Sequence, residues 1–188
     1  MHHILYLHGF LSSPESAKSQ LLRTALVQCG AEAYWHAPTL PLDPAQAQAM
    51  INEIISGFNG APVLLVGSSL GGFYATVAAE RWQAPAIVIN PAVRPYDDLR
   101  YIGWHTHYRT GERVEVTQVF MTELAALDPE HIDPARYWLL ASEDDGILDY
   151  RAALVRYAGA EQTVLPDGGH VFSHFSVFIP DVLTRAEI

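Results

Sequence analysis

Cysteine is nearly absent from this chain: Cys29 is the single one among 188 residues. One thiol excludes any disulfide within the chain, so no covalent staple holds the fold. Cys29 closes the helical-looking run Ala17 to Gln28, and no glycine-rich turn presents it. It reads as a small packed thiol, not a nucleophile.

Positive charge is also scarce. Eleven Lys and Arg face 21 Asp and Glu, for a net charge of −10 and a pI of about 5.2. Phosphate-backbone binding needs clustered cations, so the balance argues against a nucleic-acid partner, and docking on anionic membranes is disfavoured. Long apolar runs are missing too, and no window approaches the roughly 18 residues of a membrane span. The start, Met1-His2-His3-Ile4-Leu5, carries no basic region of a secretory signal, so cytoplasmic residence is expected. What is plentiful is apolar side chain, 49% against 17% charged. That is the composition of a compact globule, and the length suits one domain over residues 1–188.

Short aliphatic runs alternate with longer amphipathic ones. Ile4 to Leu7, Ala33 to Trp35, Val63 to Val66, Ala86 to Ile89, Tyr137 to Leu140 and Thr163 to Leu165 read as strands. Several are continuously apolar, as in parallel strands buried on both faces. Ser16 to Gln28, Pro44 to Gly57, Leu70 to Trp82 and Tyr150 to Tyr157 have helical length and spacing, and Asp43-Pro44 is a good helix start. The alternation predicts an α/β fold, a mostly parallel sheet of about six strands flanked by helices, with sites at strand-to-helix turns. Pro91 to Pro134 breaks the rhythm. It shows no clear strand, a partly helical stretch around Val116 to Leu127, and a run of Tyr96, Tyr101, Trp104, His105, His107 and Tyr108. So long an interval suggests a lid-like insertion over a site; a crossover helix with a long approach is the plainer alternative.

Val63 to Val66 leads into Gly67-Ser68-Ser69-Leu70-Gly71-Gly72 and then a helical run. Strand, G-x-S-x-G, helix is the setting of a nucleophile elbow, whose tight turn strains the central residue and tolerates only glycine two positions either side. Ser69 is the central serine, and Gly72 is expected to let the helix approach the sheet. A serine hydroxyl needs a base and an orienting acid, supplied after later strands in the order Ser, Asp or Glu, His. His170, after Pro166-Asp167-Gly168-Gly169, suits the base; His174, one helical turn on, is the rival. The two histidines lack a third metal ligand, so no metal is expected. Among Glu143, Asp144, Asp145 and Asp149, Asp145 suits the acid because Ile147-Leu148 can fold back beneath the site, with Asp144 as alternative. An oxyanion needs two backbone N–H donors, for which Phe10 in the loop after the first strand and Leu70 are the candidates. His8 reads as a structural hydrogen-bonder.

Taken together, these stretches resemble the α/β-hydrolases, and more narrowly the small bacterial YqiA/YcfP-like esterases. The resemblance is carried by Tyr6-Leu7-His8-Gly9-Phe10, Ser12-Ser13-Pro14, Ser16-Ala17-Lys18, the Gly67 to Phe73 elbow, Asn90-Pro91-Ala92, Leu148-Asp149-Tyr150-Arg151 and Gly168-Gly169-His170. It implies a compact hydrolase sheet, a Ser69, Asp145 and His170 triad without cofactor, and small-molecule esters or thioesters, including acyl-CoA, as substrates. Where such proteins tend to show Gly-Asp-Glu, this chain has Asp144-Asp145-Gly146. Tyr96, Tyr101 and Trp104 are expected to wall an apolar acyl pocket. Carbon–carbon bond cleavage on the same triad, or a ligand-binding protein without turnover, are the competing readings.

Overall fold

The structure, a computed structural model, describes residues 1–107 and 110–188. Tyr108, counted above among the insertion's aromatics, lies outside the described residues. Six parallel strands form the main sheet: β1 (His3–Leu7), β2 (Trp35–His36), β3 (Val63–Ser68), β4 (Ala86–Ile89), β7 (Tyr137–Ser142) and β8 (Glu161–Leu165), in the order β2-β1-β3-β4-β7-β8. The helices are α1 (Ala17–Gln28), α2 (Pro44–Gly57), α3 (Leu70–Trp82), α4 (Gln118–Leu127), α5 (Tyr150–Arg156) and α6 (Phe175–Arg185).

The continuous apolar runs divide by the period of two. Leu5, Leu7, Leu65, Val88 and Leu139 pack with α2, α3 and α4 on one face. Ile4, Tyr6, Leu64, Val66, Ile87 and Leu140 pack with α1 and α6 on the other. Each such leucine or isoleucine taken from water contributes roughly 1.5–3 kcal/mol, so the two-sided burial fixes strand register firmly. At the start of α2 the Asp43 carboxylate accepts the N–H of Gln46 at 2.8 Å, with Pro44 in the first turn.

Three expectations need correction. Residues Glu32–Tyr34 form a 3-10 turn, and only Trp35 and His36 pair with β1, opposite Ile4 and Leu5. The chain reaches this edge from a turn and meets Pro38 and Pro41 soon after, which leaves room for two paired residues. Second, the insertion does contain strands: β5 (Gly103–Thr106) and β6 (Arg113–Val116) form an antiparallel hairpin. Exposed residues alternate with half-buried ones, and only Val116 at the end of β6 is fully buried, so the hairpin lacks the apolar run that marks the central strands. Third, Cys29 is exposed at the end of α1, beyond the reach of the core.

The chain runs from β1 outward to β2, then crosses to β3 on β1's other side. The sheet therefore reverses direction between β1 and β3, the crevice where ligands sit on such sheets. Here α3 comes unusually near. A Cβ on Gly71 would stand 2.0 Å from the carbonyl oxygen of Leu7, and one on Gly67 2.2 Å from that of Gly71. Gly72 serves a different contact from the one expected of it, since its Cβ would meet Pro91, just past β4, at 2.7 Å. Gly71→Ala is expected to cost about 3 kcal/mol, because the obstacle is backbone and cannot yield like a side chain; a urea midpoint unchanged from wild type would refute this approach.

Candidate active site

Ser69 sits between β3 and α3 with φ 57° and ψ −124°. That conformation is strained for a residue with a Cβ, by roughly 1–3 kcal/mol. It is held by one bond within the turn and two to the end of β4 and just beyond: Gly72 N–H donates to Ser69 O at 2.8 Å, Ser69 N–H donates to Ile89 O at 3.0 Å, and Ala92 N–H donates to Ser69 O at 3.0 Å.

His170 lies past β8, on a turn that Gly168 and Gly169 make with φ of 121° and 59°. Its Nε2 is 3.1 Å from Ser69 Oγ, and its Nδ1 is 2.9 Å from Asp145 Oδ2. The Asp145 side chain is only 2% exposed. Burial alone would raise its pKa, but the His170 hydrogen bond and the N–H groups of Leu148 and Ile147, at 3.0 and 2.8 Å, more than offset this and hold it below the usual carboxylate value. The Ile147-Leu148 pair thus serves Asp145 through its backbone rather than through apolar packing.

The alternatives are held elsewhere. Asp144 accepts the N–H of Gly169 at 2.8 Å, so it grips the backbone beside His170 and not the imidazole. His174 pairs with Asp167 at 3.1 Å, half exposed. Among the described residues no group of three potential ligands could hold a metal ion.

Gly9 is close enough to Ser69 that a Cβ there would stand 3.1 Å from the serine Cβ. His8, buried, accepts the N–H of Leu40 on Nε2 at 3.0 Å. Its proton is therefore on Nδ1, which donates to Gly9 O at 2.9 Å. Holding that carbonyl orients the whole Gly9–Phe10 peptide plane, and hence the Phe10 N–H at its other end. Leu70 opens α3, so its N–H belongs to the first turn, which has no partner within the helix.

A cavity of about 600 Å³ opens beside Ser69 and His170, walled by Phe10, Lys18, Arg100, Tyr101, His105 and Ile147 among others. Of the three insertion aromatics expected there, Tyr101 lines it and stacks edge-on against Phe10 at 5.1 Å. Tyr96 points away and donates to Asp128 at 2.7 Å, while Trp104 is 58% exposed beneath the Arg113 guanidinium. In the β5–β6 hairpin the alternation turns His105 inward and Trp104 outward, and His105 packs edge-on against Phe10 at 5.2 Å.

Sequence reasoning missed the part played by Asn90. Buried at the end of β4, it donates through Nδ2 to Gly169 O and His170 O, at 2.9 and 3.1 Å, and accepts Ser142 N–H on Oδ1 at 2.9 Å. A polar residue directly after a buried strand was the available signal.

With this geometry in view, comparison identifies the family. The chain belongs to the uncharacterised protein family UPF0227. The family model matches residues 3–185. Solved structures show the same fold: a protein of Agrobacterium vitis S4 aligns with 97% of this chain and 87% of its own, at 17% identity and TM-score 0.76. The mouse α/β hydrolase domain-containing protein 10 aligns over 97% and 89%, at 19% identity and TM-score 0.69. An esterase of Exiguobacterium antarcticum aligns over 100% and 92%, at 15% identity and TM-score 0.65. The fold is that of the α/β-hydrolases. Among the described residues no helix is long and apolar enough to cross a membrane.

Two outcomes are expected. Asn90→Ala leaves the buried Ser142 N–H without an acceptor and costs about 1–3 kcal/mol in denaturant unfolding; an unaltered midpoint would dismiss the tie. The second concerns acid. Burial, the leading cause at each, lowers the pKa of His3, His8 and His36 from their ordinary 6.5. The unfolded chain then takes up protons before the folded one, so stability is full above pH 6.5 and declines as pH falls below it. Urea unfolding at pH 8, 6.5 and 5.5 reads this, and equal stability at all three would contradict it.

Proposed function

We propose that this protein hydrolyses carboxylic esters or thioesters through Ser69, His170 and Asp145. One observation carries the reading: a continuous hydrogen-bonded chain from Ser69 Oγ through both ring nitrogens of His170 to a buried carboxylate. Such an array makes a hydroxyl nucleophilic, since the imidazole accepts its proton while the carboxylate fixes the tautomer and stabilises the imidazolium.

In the proposed cycle Ser69 Oγ attacks the carbonyl carbon as His170 Nε2 takes the hydroxyl proton. The N–H groups of Phe10 and Leu70 receive the developing oxyanion. Collapse expels the alcohol or thiol, protonated by His170, and leaves an acyl group on Ser69. Water then gives its proton to His170 and releases the acid, restoring the enzyme. Asp145 stays ionised throughout, in keeping with its lowered pKa. Residues 91–134 act in this scheme as a cap, because Tyr101 and His105 close over Phe10 and the cavity from that segment. The α/β-hydrolase fold, shared with an esterase of Exiguobacterium antarcticum, supports a hydrolytic reading.

Ser69→Ala is expected to lower turnover of p-nitrophenyl butyrate by about 10⁶-fold. A fluorophosphonate probe is expected to label the wild type at Ser69 and to spare the variant. Undiminished esterase activity in Ser69→Ala, or a wild type inert to both probe and ester, would discard the proposal. Relief of backbone strain gives a further check: Ser69→Gly is expected to be more stable than Ser69→Ala by about 1 kcal/mol in thermal unfolding. Equal stability would mean that the turn is unstrained.

A further inference from the structure

Lys18 is the only lysine in the chain, and it stands in the wall of the Ser69 cavity. The cycle above gives it no task. It lies in the first turn of α1, and its Nζ donates to Val171 O at 2.7 Å, the carbonyl of the residue after His170. An ammonium has three donors, and this carbonyl takes one. Among the described residues no carboxylate lies within ion-pair distance of it.

Arg100, the other strong cation in the wall, is differently placed. It forks onto Asp98, with Nη2 to Oδ2 at 2.7 Å and Nε to Oδ1 at 2.9 Å, and it donates to Ile147 O at 3.1 Å. Its charge is answered at hydrogen-bond distance by Asp98, whereas Lys18, which feels the charge of Asp145, has no carboxylate at that distance among the described residues. Burial draws the Lys18 ammonium down to about 8, against the opposing pull of the Asp145 charge. A cation desolvated in this way is disfavoured until an anion joins it.

The position of Lys18 also indicates which part of a substrate it meets. The leaving oxygen or sulfur must take its proton from His170 Nε2, so the leaving group passes beside His170. Lys18 is tied to the next carbonyl along. The oxyanion donors proposed above belong to other turns, after β1 and β3. We infer that Lys18 is a specificity-determining residue that pairs with an oxyanionic group, carboxylate or phosphate, carried on the leaving-group side of the ester or thioester. This inference rests on the hydrolase reading above and names a substrate class for it.

Three butyrate esters of matched shape test the inference, with 4-carboxyphenyl, 4-phosphonophenyl and uncharged 4-carbamoylphenyl leaving groups. The wild type is expected to favour at least one anionic ester over the amide by about tenfold in kcat/KM, the factor typical of one partly buried charge pair. Which anion is favoured distinguishes carboxylate from phosphate. Lys18→Gln keeps a donor for Val171 O but removes the charge, and is expected to bring the ratio near one. No anionic preference in the wild type, or a variant that loses all three esters in equal proportion, would overturn the inference; the latter result would leave Lys18 with its hold on the His170 loop as its only role. If none of the esters is cleaved, the hydrolase reading has failed and binding still decides this one. Reductive methylation of the only lysine, read by mass spectrometry, is expected to be slowed by 4-hydroxybenzoate or 4-phosphonophenol but not by 4-hydroxybenzamide. Equal protection by all three, or protection by none, would reject the role of Lys18.

Discussion

The backbone at Ser69 turns through a left-handed conformation that an L-residue avoids, and three backbone hydrogen bonds hold it there. Much of the site is organised around that one strained residue. Its N–H is taken by the end of β4, its carbonyl by Gly72 and Ala92, and the space around it exists because Gly67 and Gly71 lack side chains. A strained residue persists only where its surroundings over-determine it. Here the restraint comes from the parallel sheet, whose central strands β3 and β4 are among the most deeply buried parts of the molecule.

The loop bearing His170 obeys a different logic. Two glycines with positive φ give it freedom that would scatter the imidazole, and side chains from three other elements remove that freedom. Asn90 holds two of its carbonyls, Asp144 accepts its Gly169 N–H, and Lys18 reaches the carbonyl of Val171. Asp145 then fixes the ring itself. One role follows for the acid cluster Glu143 to Asp145: adjacent carboxylates divide the work, one on the backbone and one on the ring. The Gly9–Phe10 loop is pinned in a comparable way, by His8 beneath it and by the rings of Tyr101 and His105 above.

The central strands were legible because burial on both faces demands unbroken apolar runs, and Val63 to Val66 or Tyr137 to Leu140 can hardly read otherwise. The hairpin Gly103–Thr106 with Arg113–Val116 was not, since strands with one half-exposed face need only alternate, and alternation over four residues is a weak signal. Trp104 illustrates the consequence. With the hairpin unseen, its facing could not be assigned, and it lies outside the cavity while His105 lies within it.

The sequence by itself determined the fold class, the turn carrying Ser69 and the chain order of serine, acid and histidine, because each depends on local pattern: hydrophobic period, glycine spacing, residue type after a strand. Only the tertiary structure decided which of the neighbouring aspartates meets the imidazole, that Asn90 and Lys18 grip the His170 loop, and which insertion side chains face Ser69. Those are contacts between residues as far apart as Lys18 and Val171. They depend on distances of a few ångströms between elements, set by how helices and strands pack, and spacing along the chain does not encode them.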